Sequence, residues 1–414
     1  MKIWFIEIGE PLPIEPDARL YRYGMMTRAL AARGHEITWW TSGFSHTARR
    51  QVCPEDRNLK VDGVNLRILM GPGYKKSVSF GRIRHQRNFA EKFYQAAKKI
   101  ASPDILISPI PTIEATEAAI LYGRESGVPV VVDIRDEWPD EIVDLAPGFL
   151  RGVARIILKK YFERTAFICR NADGIIGVSK SYLDYGLSFA GRRAGAHDRV
   201  VPIGYSAAPL DAEKLDKSKA WWISRGIDPY AFVCCFFGTL GNFFAIETVI
   251  EAARVLSREF PIQIVLCGDG SRLDKYRKMS AGLDAVLFPG WVDAAKIAGL
   301  MALSRVGLAP YAANTKMSLP NKPFEYFAGG LPVVSSIQGE LKSVLAQYNC
   351  GRTYHADSVK ELCAVIRELN ASEVLRKTMG RNARLLLEEQ YSIEKIAGDF
   401  EQYLSNLIRC SRAA

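Results

Sequence analysis

Ser318-Leu319-Pro320-Asn321-Lys322-Pro323-Phe324-Glu325-Tyr326 sets a cation and a carboxylate three residues apart at the start of a short helix. That helix ends at Gly329-Gly330, ahead of the apolar run Pro332-Val333-Val334-Ser335. A carboxylate there accepts two hydrogen bonds and suits a vicinal diol such as that of a ribose. The Lys322 ammonium suits a pyrophosphate as a point charge. A plain surface pair at this spacing contributes about 0.2–0.5 kcal/mol and would not require the Pro, Gly and aromatic residues around it. A second candidate is Gly238-Thr239-Leu240-Gly241-Asn242-Phe243-Phe244, between an apolar run and a helix. Its glycines let backbone N–H groups approach a phosphate, helped by the helix dipole, although many strand–helix turns are Gly-rich for steric reasons alone.

Other chemistries find no support. The first loop, Gly9 to Asp17, has no G-x-G-x-x-G, which disfavours a dinucleotide site. The chain has no G-x-x-x-x-G-K-[ST], G-x-S-x-G or H-E-x-x-H, and no D-x-D beside a strand. Its five histidines are dispersed. The eight cysteines form no C-x-x-C pair, and several sit in apolar runs such as Val233-Cys234-Cys235-Phe236, where a thiol acts as a small hydrophobe. Disulfides and structural zinc are therefore not expected.

These residues need a scaffold that aims them. Lys2–Ile8, Glu36–Thr41, Asp104–Ser108, Val128–Ile134 and Asp173–Val178 read as strands. Between them lie helical patterns, one ending at Gly34, one from Thr112 to Gly127, and one long basic helix before Asp173; Ser179 is an expected N-cap. Val200 to Pro209 is extended and turn-rich, and the polar segment up to Lys219 reads as a linker. A second series follows, with strands at Phe232–Gly238, Ile262–Gly268, Val286–Phe288, Val306–Ala309 and Pro332–Ser335; the chain from Lys360 is helical. Short apolar strands alternating with helices imply parallel sheets covered on both faces, here two doubly wound α/β domains whose ligands bind beyond the carboxyl ends of the strands.

With 414 residues, 48% hydrophobic and 24% charged, the chain is long enough for two such domains. No apolar run reaches the roughly 20 residues of a membrane span. Glu7 and Glu10 interrupt the first apolar segment where a signal peptide needs its apolar core, so a cytosolic protein is expected. Net charge is +10 from 55 Lys and Arg against 45 Asp and Glu. Nine of the basic residues fall between Arg67 and Lys99, against the single acid Glu91; Arg151, Arg155, Lys159, Lys160, Arg164 and Arg170 form a second basic stretch. Either is a solvated helix face or a surface for something anionic, such as phospholipid head groups or a pyrophosphate-bearing lipid. Nucleic acid is disfavoured, because no helix-turn-helix, zinc-finger, RRM or KH pattern accompanies the charge.

The segment around Lys322 and Glu325 resembles the nucleotide-binding segment of family 4 glycosyltransferases, retaining enzymes with the GT-B fold. Arg33-Gly34-His35-Glu36-Ile37-Thr38, Ala172-Asp173-Gly174-Ile175-Ile176-Gly177-Val178-Ser179 and Cys267-Gly268-Asp269-Gly270 extend the resemblance over nearly the whole chain. Asp133-Ile134-Arg135-Asp136-Glu137-Trp138-Pro139 resembles the bacterial branch that builds O-antigen, capsule and exopolysaccharide, including N-acetylfucosamine transferases. The resemblance implies two Rossmann-like domains facing a cleft: an acceptor-binding domain over 1–205, a nucleotide-sugar-binding domain over 206–388, and a C-terminal helix over 389–414 packing back on the first.

It further implies that Glu325 holds the ribose and Lys322 the diphosphate. Gly238, Thr239 and Asn242 fall on the phosphate loop, and Trp291 and Val292 beside the base. Arg135 and Asp136 face the donor sugar; Asp17 and Arg22 lie on the acceptor side. The family's first motif glutamate would fall at Met317, so Ser318 and Asn321 are the expected substitutes, and the Arg and Lys common in the phosphate loop are missing from 238–245. The expected activity is metal-independent transfer, with no cofactor, from a nucleoside-diphosphate sugar (UDP favoured over GDP) to a lipid-linked or oligosaccharide acceptor. The enzyme would sit at the inner face of the cytoplasmic membrane. A GT-B sugar-nucleotide 2-epimerase and a catalytically silent sugar-nucleotide-binding protein are the alternatives.

Overall fold

Runs of Val, Ile and Phe with no polar face make strands that must be covered on both sides. All five residues of Val130–Ile134 and all six of Phe232–Phe237 are buried. The structure, a computed structural model, describes residues 1–15, 20–46, 48–76, 78–206, 211–315 and 317–413. Its chain divides into two units, Met1–Gly204 with Ile393–Ala414, and Tyr205–Ser392.

The first unit is an eight-stranded sheet. Across it run Arg199–Val200, Gly174–Gly177, Val130–Ile134, Ile105–Ile110, Lys2–Ile6, Glu36–Ser42, Val64–Leu69 and Arg57–Val61. Every pairing is parallel except that of the last two, which form a hairpin. Chain order reverses between Lys2–Ile6 and Ile105–Ile110, so the crevice beyond their carboxyl ends is the switch point where such sheets bind ligands. Helix Ile393–Ala413 returns to this unit. Ile396, Phe400, Tyr403, Leu404 and Leu407 recur at helical spacing and are buried in the same core as the helix Arg22–Ala32.

The second unit is a six-stranded, wholly parallel sheet: Val286–Gly290, Ile262–Cys267, Phe232–Phe237, Val306–Ala309, Val333–Ser335 and Gly351–Thr353. Its switch point lies between Phe232–Phe237 and Val306–Ala309, and the helix Asn321–Ala328 follows from that edge.

Four expectations change. The polar segment before Lys219 is not linker throughout. Asp211 accepts from the Lys214 N–H at 2.8 Å and caps the helix Ala212–Ile223, whose Trp222 is buried and donates to the Lys296 carbonyl at 2.8 Å. The hairpin Arg57–Val61/Val64–Leu69 was not foreseen. The long basic helix is two helices, Arg151–Ile157 and Lys159–Arg170, broken at Leu158. Ser179 occupies the N-cap position of Lys180–Ala190, yet its hydroxyl meets Ser181 Oγ at 2.9 Å rather than a backbone N–H. Among the described residues no helix is long and apolar enough to cross a membrane.

Candidate functional site

At the second unit's switch point, three loops meet at the strand ends. Gly238 ends Phe232–Phe237 at φ +155°, and Gly268 ends Ile262–Cys267 at φ +135°. A Cβ on Gly268 would overlap the Gly238 carbonyl, and one on Gly270 would stand 2.5 Å from the Leu240 carbonyl, so only glycine lets these backbones touch. Leu240 N–H bonds the Asp269 carbonyl at 2.9 Å and fixes the contact. Lys322 Nζ donates to the Phe237 carbonyl and lies 5.0 Å from the ring centres of both Phe236 and Phe244. A Cβ on Gly238 would overlap that ammonium. Neither Ala245 nor Pro320, ahead of the helices Ile246–Leu256 and Asn321–Ala328, supplies a side-chain cap.

Glu325 is 4% exposed, one turn along from Lys322. Burial and then Glu325 raise the Tyr311 hydroxyl; burial, then Cys235 and Glu325, raise that of Tyr326. Thr239, Asn242 and Asn321 are exposed at the mouths of these loops. Ser318 Oγ donates to Glu340 at 3.1 Å, and Met317 beside it is exposed. Trp291 presents its indole to solvent. Val292 does not: it is buried in the apolar core of the sheet and exposes almost no side chain for a base. Lys322, Gly238 and Glu325 thus stand together with Thr239 and Asn242 nearby.

The first unit has its own charged cluster at its switch point. Arg135, one residue past Val130–Ile134, donates to Glu7 at 3.1 Å and reaches Glu10 at 2.8 Å, its guanidinium 5.3 Å over the Tyr23 ring. The Glu10 carboxylate accepts from the Tyr23 and Gly24 N–H groups at 2.9–3.0 Å, and so sits on the N-terminus of Arg22–Ala32. Arg22, expected on the acceptor side, is instead buried: Nε meets Asp133 at 2.9 Å and Nη1 donates to the Pro202 carbonyl at 2.7 Å. Asp17 lies outside the described residues. Glu7, Glu10 and Asp133 were not singled out from sequence. Two acids directly after a buried apolar strand were the available signal for the first pair.

Burial pushes the Glu7 carboxyl up to about 7, opposed by Arg135 and aided by Glu10. Asp136 is pushed up to about 7 by burial and then by Glu141, against Arg135. A group near 7 can hold or release a proton at neutral pH. It also has a stability consequence. In the unfolded chain these acids ionise near 4.5 and 3.8. From there to about 7 the native protein binds more protons than the unfolded one, so the stability these two contribute is complete at low pH and declines as pH rises through about 7. Glu7→Gln is expected to flatten part of that decline. Urea midpoints measured across this window check it, and identical pH slopes in wild type and variant would refute it.

Residues 24–206 match the family described as Glycosyltransferase Family 4, and residues 231–372 the family described as Glycosyl transferases group 1. Two glycosyltransferase domain matches, of differently described families, thus follow one another along the chain. An uncharacterised glycosyltransferase of Methanocaldococcus jannaschii is 22% identical over 258 residues, 61% of this chain and 63% of that protein. The chain spans less than two thirds of the length of the curated relatives it matches. Among solved structures, the sucrose-phosphate synthase of Thermosynechococcus elongatus superposes with a TM-score of 0.76 at 17% identity, over 99% of each chain. HepE of Anabaena in complex with UDP gives 0.69 at 16% identity, over 98% of this chain and 100% of that one. The fold of the chain is GT-B, with two α/β domains.

Proposed function

We propose that the chain is a retaining glycosyltransferase. In this reading it moves a hexosyl or N-acetylhexosaminyl group from a UDP-sugar to a lipid-linked glycan in bacterial surface-polysaccharide synthesis, near the N-acetylfucosamine transferases. One observation carries the reading: an ammonium held on the strand-end carbonyl above Gly238, at a switch point ringed by glycine backbone. That is an anion site for a diphosphate. UDP is favoured because HepE, which shares the fold, binds it.

In the proposed reaction the bond from the sugar's anomeric carbon to the diphosphate oxygen breaks. The bond to the acceptor oxygen forms on the same face, and the acceptor's proton passes to the leaving oxygen. Lys322 and the helix N-termini stabilise the charge that grows on the diphosphate. Glu325 is assigned the ribose, with Thr239 and Asn242 at the phosphates, Ser318 and Asn321 toward the sugar, and Trp291 at the base. Arg135, fixed in direction by Glu7 and Glu10, and Asp136 are assigned to the donor sugar. The basic Arg67–Lys99 stretch supports a lipid-linked acceptor at the inner face of the cytoplasmic membrane.

UDP is expected to raise the unfolding temperature more than GDP or dTDP does. At 100 times its Kd it contributes about 2.7 kcal/mol, and a thermal-shift panel that ranks GDP first would overturn the base assignment. A second reading, a sugar-nucleotide 2-epimerase, is favoured by the two carboxyls near 7, Glu7 and Asp136, which could move protons on the sugar. Incubation of the UDP-sugar without acceptor separates them: an epimer supports the second reading, whereas UDP released only with acceptor supports transfer.

A further inference from the structure

A cavity of about 470 Å³ opens on the sheet of the first unit, lined in part by Ile100 and Ala101 just past the helix Phe80–Ala97. Its floor is a row of paired residues. Trp4 stands opposite Thr38, Thr38 opposite Asn65, and Asn65 opposite Lys60, so one line of side chains crosses four strands on one face. Two residues further along, the same face sets Arg67 opposite Asn58; two residues back, it sets Lys2 opposite Glu36.

Composition sets this row apart. On the other face of the same strands Ile3, Phe5, Ile37, Trp39, Leu66 and Ile68 are buried in one core with the C-terminal helix. Parallel strands carry apolar residues on both faces. Thr38 and Asn65 depart from that rule on strands inside the sheet rather than at its edge. Thr38 is 7% exposed, yet its hydroxyl meets no partner among the described residues, and the side chains of Asn58, Lys60 and Asn65 meet none either. A nearly buried polar group that faces a cavity without a protein partner calls for a partner that enters it.

What fits is set by donors and acceptors. The Asn58 and Asn65 amides and the Thr38 hydroxyl each donate and accept, as the hydroxyls of a sugar do. Trp4, stacked on Tyr122 at 5.6 Å, closes the floor with an apolar surface. Charge selects further. Lys2, Lys60 and Arg67 line the cavity with one acid, Glu36, which pairs with Lys2 at 3.8 Å. Arg67 lies 5.2 Å over the Trp40 ring, which holds the guanidinium in place. A phosphate alone would meet the cations and leave both amides and Thr38 idle. We infer that this groove binds an oligosaccharide that carries a carboxylate: the amides and Thr38 take sugar hydroxyls, and Lys60 and Arg67 take the acid group. It lies toward the amino ends of Lys2–Ile6 and Glu36–Ser42, whereas Arg135 follows the carboxyl end of Val130–Ile134. A glycan held there gains local concentration at the enzyme without touching the reacting atoms. That a glycan is the ligand rests on the proposed transferase reading.

Titration calorimetry with trigalacturonate, maltotriose and inorganic phosphate tests it on the full chain. Wild type is expected to bind trigalacturonate, and to bind the neutral trimer and phosphate about tenfold more weakly or worse. Lys60→Glu, at an exposed position, is expected to weaken trigalacturonate binding by about tenfold or more, and Thr38→Val, which keeps the side chain's shape, by several-fold. No binding of trigalacturonate by wild type, or equal binding by either variant, would overturn the site. Phosphate binding as tightly as the trimer would reduce it to an anion patch, and maltotriose doing so would remove the role of the acid group. The UDP thermal shift, read on the same samples, reports separately on the nucleotide site. A normal UDP shift without trigalacturonate binding sinks the groove alone, and trigalacturonate binding without any UDP shift sinks the UDP-sugar reading alone.

Discussion

Lys322→Ala is expected to lower kcat by about 10²–10³, with a smaller rise in KM for the UDP-sugar, the signature of losing a donor that acts most strongly on transition-state charge. The expectation comes from where the ammonium is held. One of its hydrogens is directed to the Phe237 carbonyl, which fixes the ammonium at the strand end. The faces of Phe236 and Phe244, each 5.0 Å away, favour a cation at that spot and shield it from water, which strengthens its pull on a diphosphate. Gly238→Ala keeps the charge but adds a methyl that overlaps Nζ as it is now held, at a backbone angle that disfavours a side chain, so it should lower kcat in the same direction. Steady-state kinetics on both variants decide the matter. Unchanged turnover in Lys322→Ala with only a raised KM would reduce Lys322 to a binding group.

Why Lys322 and Glu325 could be read together in the sequence, and the partners of Arg135 could not, is a matter of sequence distance. Lys322 and Glu325 share one helix turn, and the glycines at 238, 268 and 270 are demanded by backbone contact that no side chain can replace. Arg135 and Glu7 are separated by 128 positions and meet only because Lys2–Ile6 and Val130–Ile134 end on the same side of one sheet. Arg22 was expected on the acceptor side, and nothing local marks Asp133 as its partner, 111 positions away.

The fold divides in the same manner. Strands buried on both faces, such as Ile262–Cys267 and Val306–Ala309, are apolar runs that announce themselves. Arg57–Val61 lies at the sheet edge with most of its residues exposed, so its composition is polar. Its hairpin still left a local mark: Asp62-Gly63, both at positive φ, is the pair that a tight two-residue turn requires. Ala212–Ile223 was obscured by its charged face, although Trp222 and the capping Asp211 both pointed to a helix.

Arg22→Ala is expected to destabilise the first unit by about 3–5 kcal/mol, the range for removing one partner of a buried ion pair. The guanidinium is 5% exposed and the Asp133 carboxylate 0% exposed, so deletion strands a charge on the buried strand Val130–Ile134 and leaves the Pro202 carbonyl without its donor. The double variant Arg22→Leu, Asp133→Leu removes both charges and is expected to recover much of the loss, because two apolar groups replace the pair without an orphan. Chemical unfolding followed by tryptophan fluorescence reads this in the first unit through Trp4, Trp39 and Trp40, which are buried there. The UDP response of the second unit should persist in both variants. If Arg22→Ala instead keeps wild-type stability and raises only the acceptor's KM, then the guanidinium serves the acceptor, and the ion pair to Asp133 is not what holds helix Arg22–Ala32 to its sheet.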